Sequence, residues 1–384
     1  MALTQVKDGN IVSLDSSQLV GKLPEMDGTT LTGMASPSVT KQGSDPLYTS
    51  NGYAVGTLWA NYSNGTLWVC TQSSSNDMYW KNCGTRSSGV NNGSGVWGMQ
   101  GNLSGFTSGG TGASNTVTID KYTFASSGNA TDHGDLTITS NRTSGSSSNT
   151  HGYTAGGATN TTTIDKFTFA TSGNAIEHAD LTLARGNTAG QTSRTHGFAS
   201  GGYTGTTQSN TIDKFSFSNA NTIADHGNLM GNRQDACGQS SETKGFTAGG
   251  HIGSSTNTAT VDYFNFSSNS TATLHGNLSQ TRTSAAGTSS MTRGYAAGGT
   301  TGSNVDTIDY FDFSSNTTAT DHGNLSVARS GAAGQSHITK GFSSGGTTGS
   351  VSDRIDEFNY ASNTTATDHG NLSVARAYSA GTQY

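Results

Sequence analysis

Residues 307–325 read TIDYFDFSSNTTATDHGNL, and this stretch decides the fold because versions of it occur six times along the chain. Its aspartate and its histidine both recur at steps of 45, 48, 49, 47 and 47 residues. A fixed period of about 20–50 residues is the signature of a repeat architecture. The aspartates are Asp120, Asp165, Asp213, Asp262, Asp309 and Asp356, and the histidines are His133, His178, His226, His275, His322 and His369.

Each copy is predicted to contain four short strands. In the last complete copy they are Ser330–His337, Gly341–Gly346, Ile355–Tyr360 and Thr367–Arg376, separated by Thr-Gly-Ser and Ser-Asn-Thr-Thr turns. In the third of these strands, Asp356 alternates with aromatic residues, which places them on one face of the sheet.

The repeats resemble Kelch repeats, which also carry a double glycine after the second strand of each blade. The resemblance covers residues 103–384, although leucine stands near the position where Kelch blades usually carry tryptophan. It implies an all-β fold, a six-bladed Kelch-like β-propeller. Residues 377–384 match a first strand with no blade after it, and the first copy lacks such a strand. We therefore expect the C-terminal strand to close the ring.

The composition changes near residue 100 and marks a domain boundary. All three prolines lie in the first 46 residues, and all four tryptophans lie before residue 98. Residues 1–50 predict an extended arm. Residues 51–100 predict a small β module, because two aromatic strands around Trp59 and Trp68 flank an Asn-Gly turn. Residues 101–384 then form the propeller.

The overall composition excludes several classes of protein. The formal net charge of −6 argues against a phosphate-binding surface and therefore against nucleic acid as a partner. The sequence contains no run of about 18 apolar residues, so no membrane-spanning helix is predicted. The first residues lack the pattern of a secretory signal, so export by that route is not expected. Gly, Ser, Thr and Asn dominate where a helical bundle would need helix formers.

The N-terminal phrase VGKLPEMDGTTLTG, residues 20–33, is similar to one found near the N-terminus of tailed-phage fibre and appendage proteins. The GTLW…GTLWVCT…W pattern of residues 56–80 is similar to small β modules of phage structural proteins. The resemblance implies a structural virion protein, assembled in the host cytoplasm as a homotrimer, whose partners are other tail or capsid proteins. The expected docking residues of the arm are Val20, Leu23, Leu31 and Met34.

The repeated histidines and aspartates are interpreted as structural. One histidine per copy is what a repeated hydrogen bond would produce. A buried carboxylate needs hydrogen-bond donors, and we expect the arginines of other blades to be among the donors to the aspartates. No zinc spacing or catalytic constellation stands out, so we expect no metal, no cofactor and no enzymatic activity. Cys237 replaces the alanine of other copies and predicts a small packed residue. Cys70 and Cys83 could pair, but an unexported chain favours two thiols.

Differences between copies are more informative for binding than the repeated residues. Propellers usually meet partners through the loops at one end of the ring. Aromatic and polar loops suit sugars, so we expect a host-surface polysaccharide as a partner. The candidate loop residues are Tyr203, His251, Asp306 and Arg354.

Two other functions are compatible with the pattern. A free lectin-like or adhesin propeller would normally need export. A propeller-fold glycosidase or oxidase would need a catalytic constellation. The virion appendage is the preferred interpretation, although fold alone is a weak guide to function.

Overall fold

The computed structural model describes residues 39–42, 46, 53–61, 66–73, 78–82, 100–157, 161–253 and 256–384. The chain divides into two units, Met1–Ser94 and Gly95–Tyr384. All secondary structure in the described ranges consists of β-strands and isolated bridges. Accordingly, no helix long and apolar enough to cross a membrane occurs there.

The first unit contains one four-stranded sheet, with strands Val39–Gln42, Leu58–Asn61, Thr66–Ser73 and Met78–Asn82 in that order. Trp59 lies directly opposite Trp68, and both side chains are buried with Cys70. Val39–Gln42 pairs in parallel with Leu58–Asn61. This strand lies within the range that the sequence assigns to the extended arm. The turn between the two tryptophan strands lies outside the described residues.

The second unit contains six four-stranded antiparallel sheets, as the all-β prediction requires. We call them sheets 1 to 6 in the order of the repeated aspartates and call their strands first to fourth.

The six first strands come from the chain segments that precede the double-glycine phrases, except in sheet 1, where the chain's last strand takes this place. In order from sheet 1 to sheet 6 they are Ala380–Gln383, Ser144–Ser147, Ala189–Thr192, Cys237–Ser240, Ala286–Ser289 and Ala333–Ser336. The second strands are Ser104–Ser108, His151–Ala155, His196–Ser200, Lys244–Ala248, Arg293–Ala297 and Lys340–Ser344.

The third strands carry the repeated aspartates and the fourth strands carry the repeated histidines. The third strands are Thr118–Thr123, Thr163–Thr168, Thr211–Ser216, Thr260–Asn265, Thr307–Asp312 and Arg354–Asn359. The fourth strands are Thr131–Asp135, Ile176–Asp180, Ile223–Asn228, Thr273–Asn277, Thr320–Asn324 and Thr367–Asn371. A two-stranded hairpin, His251–Ile252 with Thr256–Asn257, is inserted in sheet 4.

The fourth strands are shorter than the sequence predicts. In sheet 6 the strand ends at Asn371 rather than at Arg376. The reason is that the next residues leave the ladder and turn to the neighbouring sheet. The N–H and the Oγ of Ser373 both donate to the Asp120 carboxylate in sheet 1.

The core lies between the sheets rather than within any one of them. At each interface an aromatic residue of a second strand stacks on one that follows the third strand of the next sheet. Phe246 and Phe313 are typical, with ring centroids 4.7 Å apart. The other stacked pairs are Phe106–Phe169, Tyr153–Phe217, Phe198–Phe266, Tyr295–Tyr360 and Phe342–Phe124, the last of which joins sheet 6 to sheet 1.

Candidate functional site

One position in each repeat adopts a left-handed backbone two residues after the place of the repeated arginine. Five of these six residues are not glycine, although non-glycine residues pay about 1–2 kcal/mol for this conformation. Elsewhere in the described part of the chain, Asn221 is the sole non-glycine residue with positive φ. We call the six residues the αL ring: Arg142 (φ 58°), Asn187 (58°), Asp235 (56°), Ser284 (56°), Gly331 (65°) and Tyr378 (60°).

Backbone hydrogen bonds join the αL ring into a circle. The N–H of each ring residue donates to the carbonyl of the ring residue in the repeat before it. The chain of bonds returns to its start, because Arg142 N–H donates to the carbonyl of Tyr378. The six N···O distances, starting at Arg142 and following the chain, are 2.6, 2.7, 3.0, 2.7, 2.8 and 2.6 Å.

All six ring residues line one cavity of about 120 Å³, whose wall is completed by the first strands. Glycines of neighbouring first strands approach so closely there that a Cβ on Gly334 would overlap the carbonyl oxygen of Gly287. Because glycine strands form this wall, the side chains of the αL ring determine the chemistry at their end of the cavity, which we call its mouth. These side chains comprise a guanidinium, an amide, a carboxylate, a hydroxyl, a hydrogen atom and a phenol.

Two opposite charges face the cavity from different sheets. The Arg142 guanidinium is exposed and lies over the ring of Tyr378, 5.4 Å from its centroid. The Asp235 carboxylate accepts a hydrogen bond of 3.0 Å from Gln234 Nε2. Burial raises the pKa of Asp235, while this hydrogen bond and the charges of Arg142 and His251 oppose the shift. The mouth therefore offers both a strong donor and a strong acceptor.

Two of the loop residues proposed from the sequence lie next to the αL ring. Tyr203 exchanges backbone hydrogen bonds with Gly186, the residue before Asn187. His251 exchanges them with Gln234, the residue before Asp235. These two positions therefore lie beside the αL ring at Asn187 and Asp235.

The other two proposed loop residues are tied to sheets 5 and 6. The carbonyl of Asp306 accepts a hydrogen bond from Leu325 N–H. The Arg354 side chain forms ion pairs with Asp356 at 2.8 Å and Asp368 at 3.3 Å. Arg354 also donates to Ser326 Oγ, just after the fourth strand of sheet 5, so its side chain is held by both sheets.

The repeated aspartates are buried, and five of them form ion pairs with an arginine of the preceding sheet. Asp356, for example, lies 2.8 Å from Arg329 and accepts hydrogen bonds from Ser326. Burial alone would raise the pKa of Asp356, but Arg329 and the hydrogen bonds from Ser326 and Arg354 lower it. The other pairs are Arg185–Asp213, Arg233–Asp262, Arg282–Asp309 and Arg376–Asp120, at 2.6–3.2 Å.

Asp165 is the exception, because Ser140 occupies the place of the arginine. Its carboxylate accepts hydrogen bonds from the N–H and the Oγ1 of Thr137. Burial raises the pKa of Asp165, and the two Thr137 hydrogen bonds offset only part of that shift.

Each repeated histidine bonds to the next sheet through Nε2. The acceptor is a backbone carbonyl at the end of the next third strand, as with His226 and Asn265 at 2.8 Å. The other acceptors are Thr168, Ser216, Asp312, Asn359 and Thr123, for His133, His178, His275, His322 and His369. Burial lowers the pKa of His133, His178, His226 and His275, which favours their neutral forms.

Within the described ranges, no group of three or more His, Cys, Asp or Glu side chains is placed to hold a metal ion. Cys237 is buried, and its thiol donates to the Ala248 carbonyl at 3.5 Å. Val20, Leu23, Leu31, Met34 and Cys83 lie outside the described residues.

Sequence reasoning did not find the αL ring. Its members are 45 to 49 residues apart and differ in charge, size and functional group, so they look like ordinary variation between copies. Aligning the copies on the arginine would have placed them in one column. Only their common backbone conformation separates this column from other variable positions.

The likeness to known proteins is confined to structure. No protein-family description and no curated protein matches the chain. The chain is similar to a solved structure titled "Structure of YjhT", with a TM-score of 0.53 and 13% sequence identity. The alignment covers 64% of this chain and 88% of that one. At this identity the likeness concerns the fold alone.

Proposed function

We propose that residues 101–384 form a six-bladed Kelch-like propeller closed by its C-terminal strand. We further propose that the chain is a non-enzymatic fibre or appendage of a tailed-phage virion, which binds a host-surface glycan. The pairing of Ala380–Gln383 with Ser104–Ser108 supports the closure. The aromatic stack between sheets 6 and 1 and the circle of hydrogen bonds in the αL ring support it as well.

One observation carries the binding role. The repeated arginines, aspartates and histidines are used in contacts between sheets, whereas the αL ring presents six different groups around one cavity. Side chains kept in a costly backbone conformation are more often found at functional sites than elsewhere. A binding site therefore explains the ring better than drift between copies does.

The attachment role rests on the N-terminal phrase and its similarity to phage fibre proteins. The arm has few apolar residues, so ordering it alone would cost more conformational entropy than burial could recover. A partner surface on the tail or capsid would supply the missing burial. We propose a homotrimer because similar phage fibres have three copies.

The test is incorporation of the full chain into particles that lack it. We compare the unchanged chain with a variant that carries Val20→Asp, Leu23→Asp, Leu31→Asp and Met34→Asp. Sedimentation separates bound from free protein. We expect the unchanged chain to sediment with particles and the variant to remain free.

The matched control carries the same four charges at polar positions of the arm, Ser16→Asp, Ser17→Asp, Thr29→Asp and Thr32→Asp. It should still sediment with particles. If the unchanged chain fails to join particles, the virion role is wrong. If both variants join them equally, docking does not depend on the apolar residues of the arm.

A further inference from the structure

We infer that the αL ring binds one neutral sugar unit. Asp235 and Arg142 form hydrogen bonds with the sugar hydroxyls, and Tyr378 packs against the sugar ring. This deepens the proposed function, because it assigns the glycan to a particular site and chemical class. The site differs from the loop positions that the sequence singles out. The reasons are the charge balance, the available hydrogen-bonding groups and the size of the cavity.

The charge balance of the mouth favours an uncharged ligand. Arg142 contributes one positive charge and Asp235 one negative charge, so the αL ring is formally neutral. The whole chain carries a net charge of −6, which adds no attraction for an anion. An acidic sugar would gain from Arg142 but would face the carboxylate of Asp235 across the same cavity.

The available donors and acceptors match sugar hydroxyls. No contact of the Arg142 guanidinium with an acceptor is found among the described residues, apart from its position over Tyr378. The Asp235 carboxylate has one hydrogen-bond donor, Gln234. Asn187 also lines the cavity, but its Oδ1 is buried away from the cavity surface, so we assign it no contact with the ligand. A hydroxyl can both donate and accept, so one sugar ring can bond to both Arg142 and Asp235.

The position of Tyr378 provides an aromatic surface. Its ring lies against Gly331, where a Cβ would approach Tyr378 Cε1 to 3.0 Å. The absence of a side chain at Gly331 thus leaves room for Tyr378, which lines the cavity. Aromatic rings bury the apolar C–H faces of sugars while their edges leave the hydroxyls available for hydrogen bonds.

The cavity limits how much of the ligand enters. About 120 Å³ holds several water molecules, whose place one sugar ring can take. The remainder of a longer glycan would stay outside, near Tyr203 and His251.

The experiment measures binding of the full chain to four probes by titration calorimetry. The probes are the methyl glycosides of galactose, glucose, N-acetylglucosamine and galacturonic acid. We expect at least one neutral glycoside to bind with a Kd of about 1 mM or tighter, and the galacturonide to bind at least about tenfold more weakly.

Two variants place the binding at the αL ring. Asp235→Asn keeps the shape of the side chain but replaces one acceptor oxygen with a donor, and Tyr378→Ala removes the aromatic surface. Each should weaken binding of the neutral glycoside at least about tenfold. Glu177→Gln, an exposed position at the start of an outer strand, is the control and should bind unchanged. Near-UV circular dichroism identifies any variant that does not fold.

Three outcomes would overturn the inference. They are no binding of any neutral glycoside at about 50 mM, a preference for the galacturonide, or unchanged binding in folded Asp235→Asn. These results are independent of particle incorporation. A chain that joins virions but binds no neutral glycoside leaves the proposed attachment intact, and a chain that binds sugar but joins no particle leaves the site intact.

Discussion

The sheet interfaces and the αL ring are built from the same six repeats, yet they differ in how the repeats vary. At the interfaces the same residue types recur, since five arginine–aspartate ion pairs and six histidine–carbonyl hydrogen bonds join successive sheets. In the αL ring the backbone is repeated and every side chain is different. The difference indicates that the interfaces are constrained by folding, and it supports the proposal that the αL ring is a binding site.

Removing the last strand should have the largest effect, because it breaks both regions at once. A chain without Ala377–Tyr384 loses the first strand of sheet 1 and the ring residue Tyr378. The exposed strand edge of Ser104–Ser108 would then promote aggregation. We expect loss of cooperative thermal unfolding, measured by circular dichroism and light scattering. Val374→Ala, at an exposed residue just before the deletion, should behave as the unchanged chain, and a monomeric truncated chain with unchanged melting would refute closure.

Breaking one interface pair should have the next largest effect. Asp309→Ala leaves the fully buried Arg282 guanidinium without its carboxylate. Loss of one partner of a buried ion pair costs about 3–5 kcal/mol. The measurement is the free energy of unfolding in urea. The double variant Arg282→Met with Asp309→Leu should lose less, and an equal or larger loss would mean that packing rather than charge dominates this position.

The interface without an arginine offers a smaller effect with a characteristic pH dependence. Because the pKa of Asp165 is raised in the folded state, its charged form destabilises the fold above that pKa, and stability is regained as the pH falls through it. The pKa of Asp356 is lowered, so its contribution is present above the unfolded value and is lost as the pH falls through the folded value. The free energy of unfolding with Asp165, compared with that of its Asn variant, should therefore be more favourable at pH 3 than at pH 7. For Asp356 the same comparison should be more favourable at pH 7 than at pH 3.

Ser140→Arg should remove this difference by supplying the missing partner, with a gain of about 1 kcal/mol at pH 7. Urea unfolding at both pH values measures all of these variants. Parallel pH profiles for the Asp165→Asn and Asp356→Asn variants would contradict the role assigned to the arginine.

Relieving the unfavourable left-handed backbone conformation in the αL ring should have the smallest effect, and it should stabilise the fold rather than destabilise it. Ser284→Gly places in sheet 5 the residue that sheet 6 has at Gly331, and both have similar φ values. Relief of the left-handed conformation should raise the free energy of unfolding by up to about 1 kcal/mol. The control is Ser314→Gly, at an exposed position outside the ring, which should not be stabilised. Destabilisation of Ser284→Gly would show that this side chain contributes to folding.

The sequence determined the period, the four strands of each copy and the alternation that buries the aspartate with the aromatic residues. These follow from backbone geometry, because side chains two residues apart in a strand share a face. The sequence did not determine where the strands end. The fourth strand of sheet 6 stops at Asn371, since Ser373 bonds to Asp120 of another sheet.

The sequence predicted that arginines of other blades pair with the repeated aspartates, but tertiary structure alone decided which sheet supplies each partner. Val39–Gln42 pairs in parallel with Leu58–Asn61 although its sequence predicts an extended arm. Arg329 pairs with the aspartate of the next sheet, and Arg142 meets Tyr378, which lies 236 positions later in the chain. Such contacts depend on how successive sheets are placed relative to one another. No window of the sequence encodes that placement, because it results from packing summed over all the sheet interfaces.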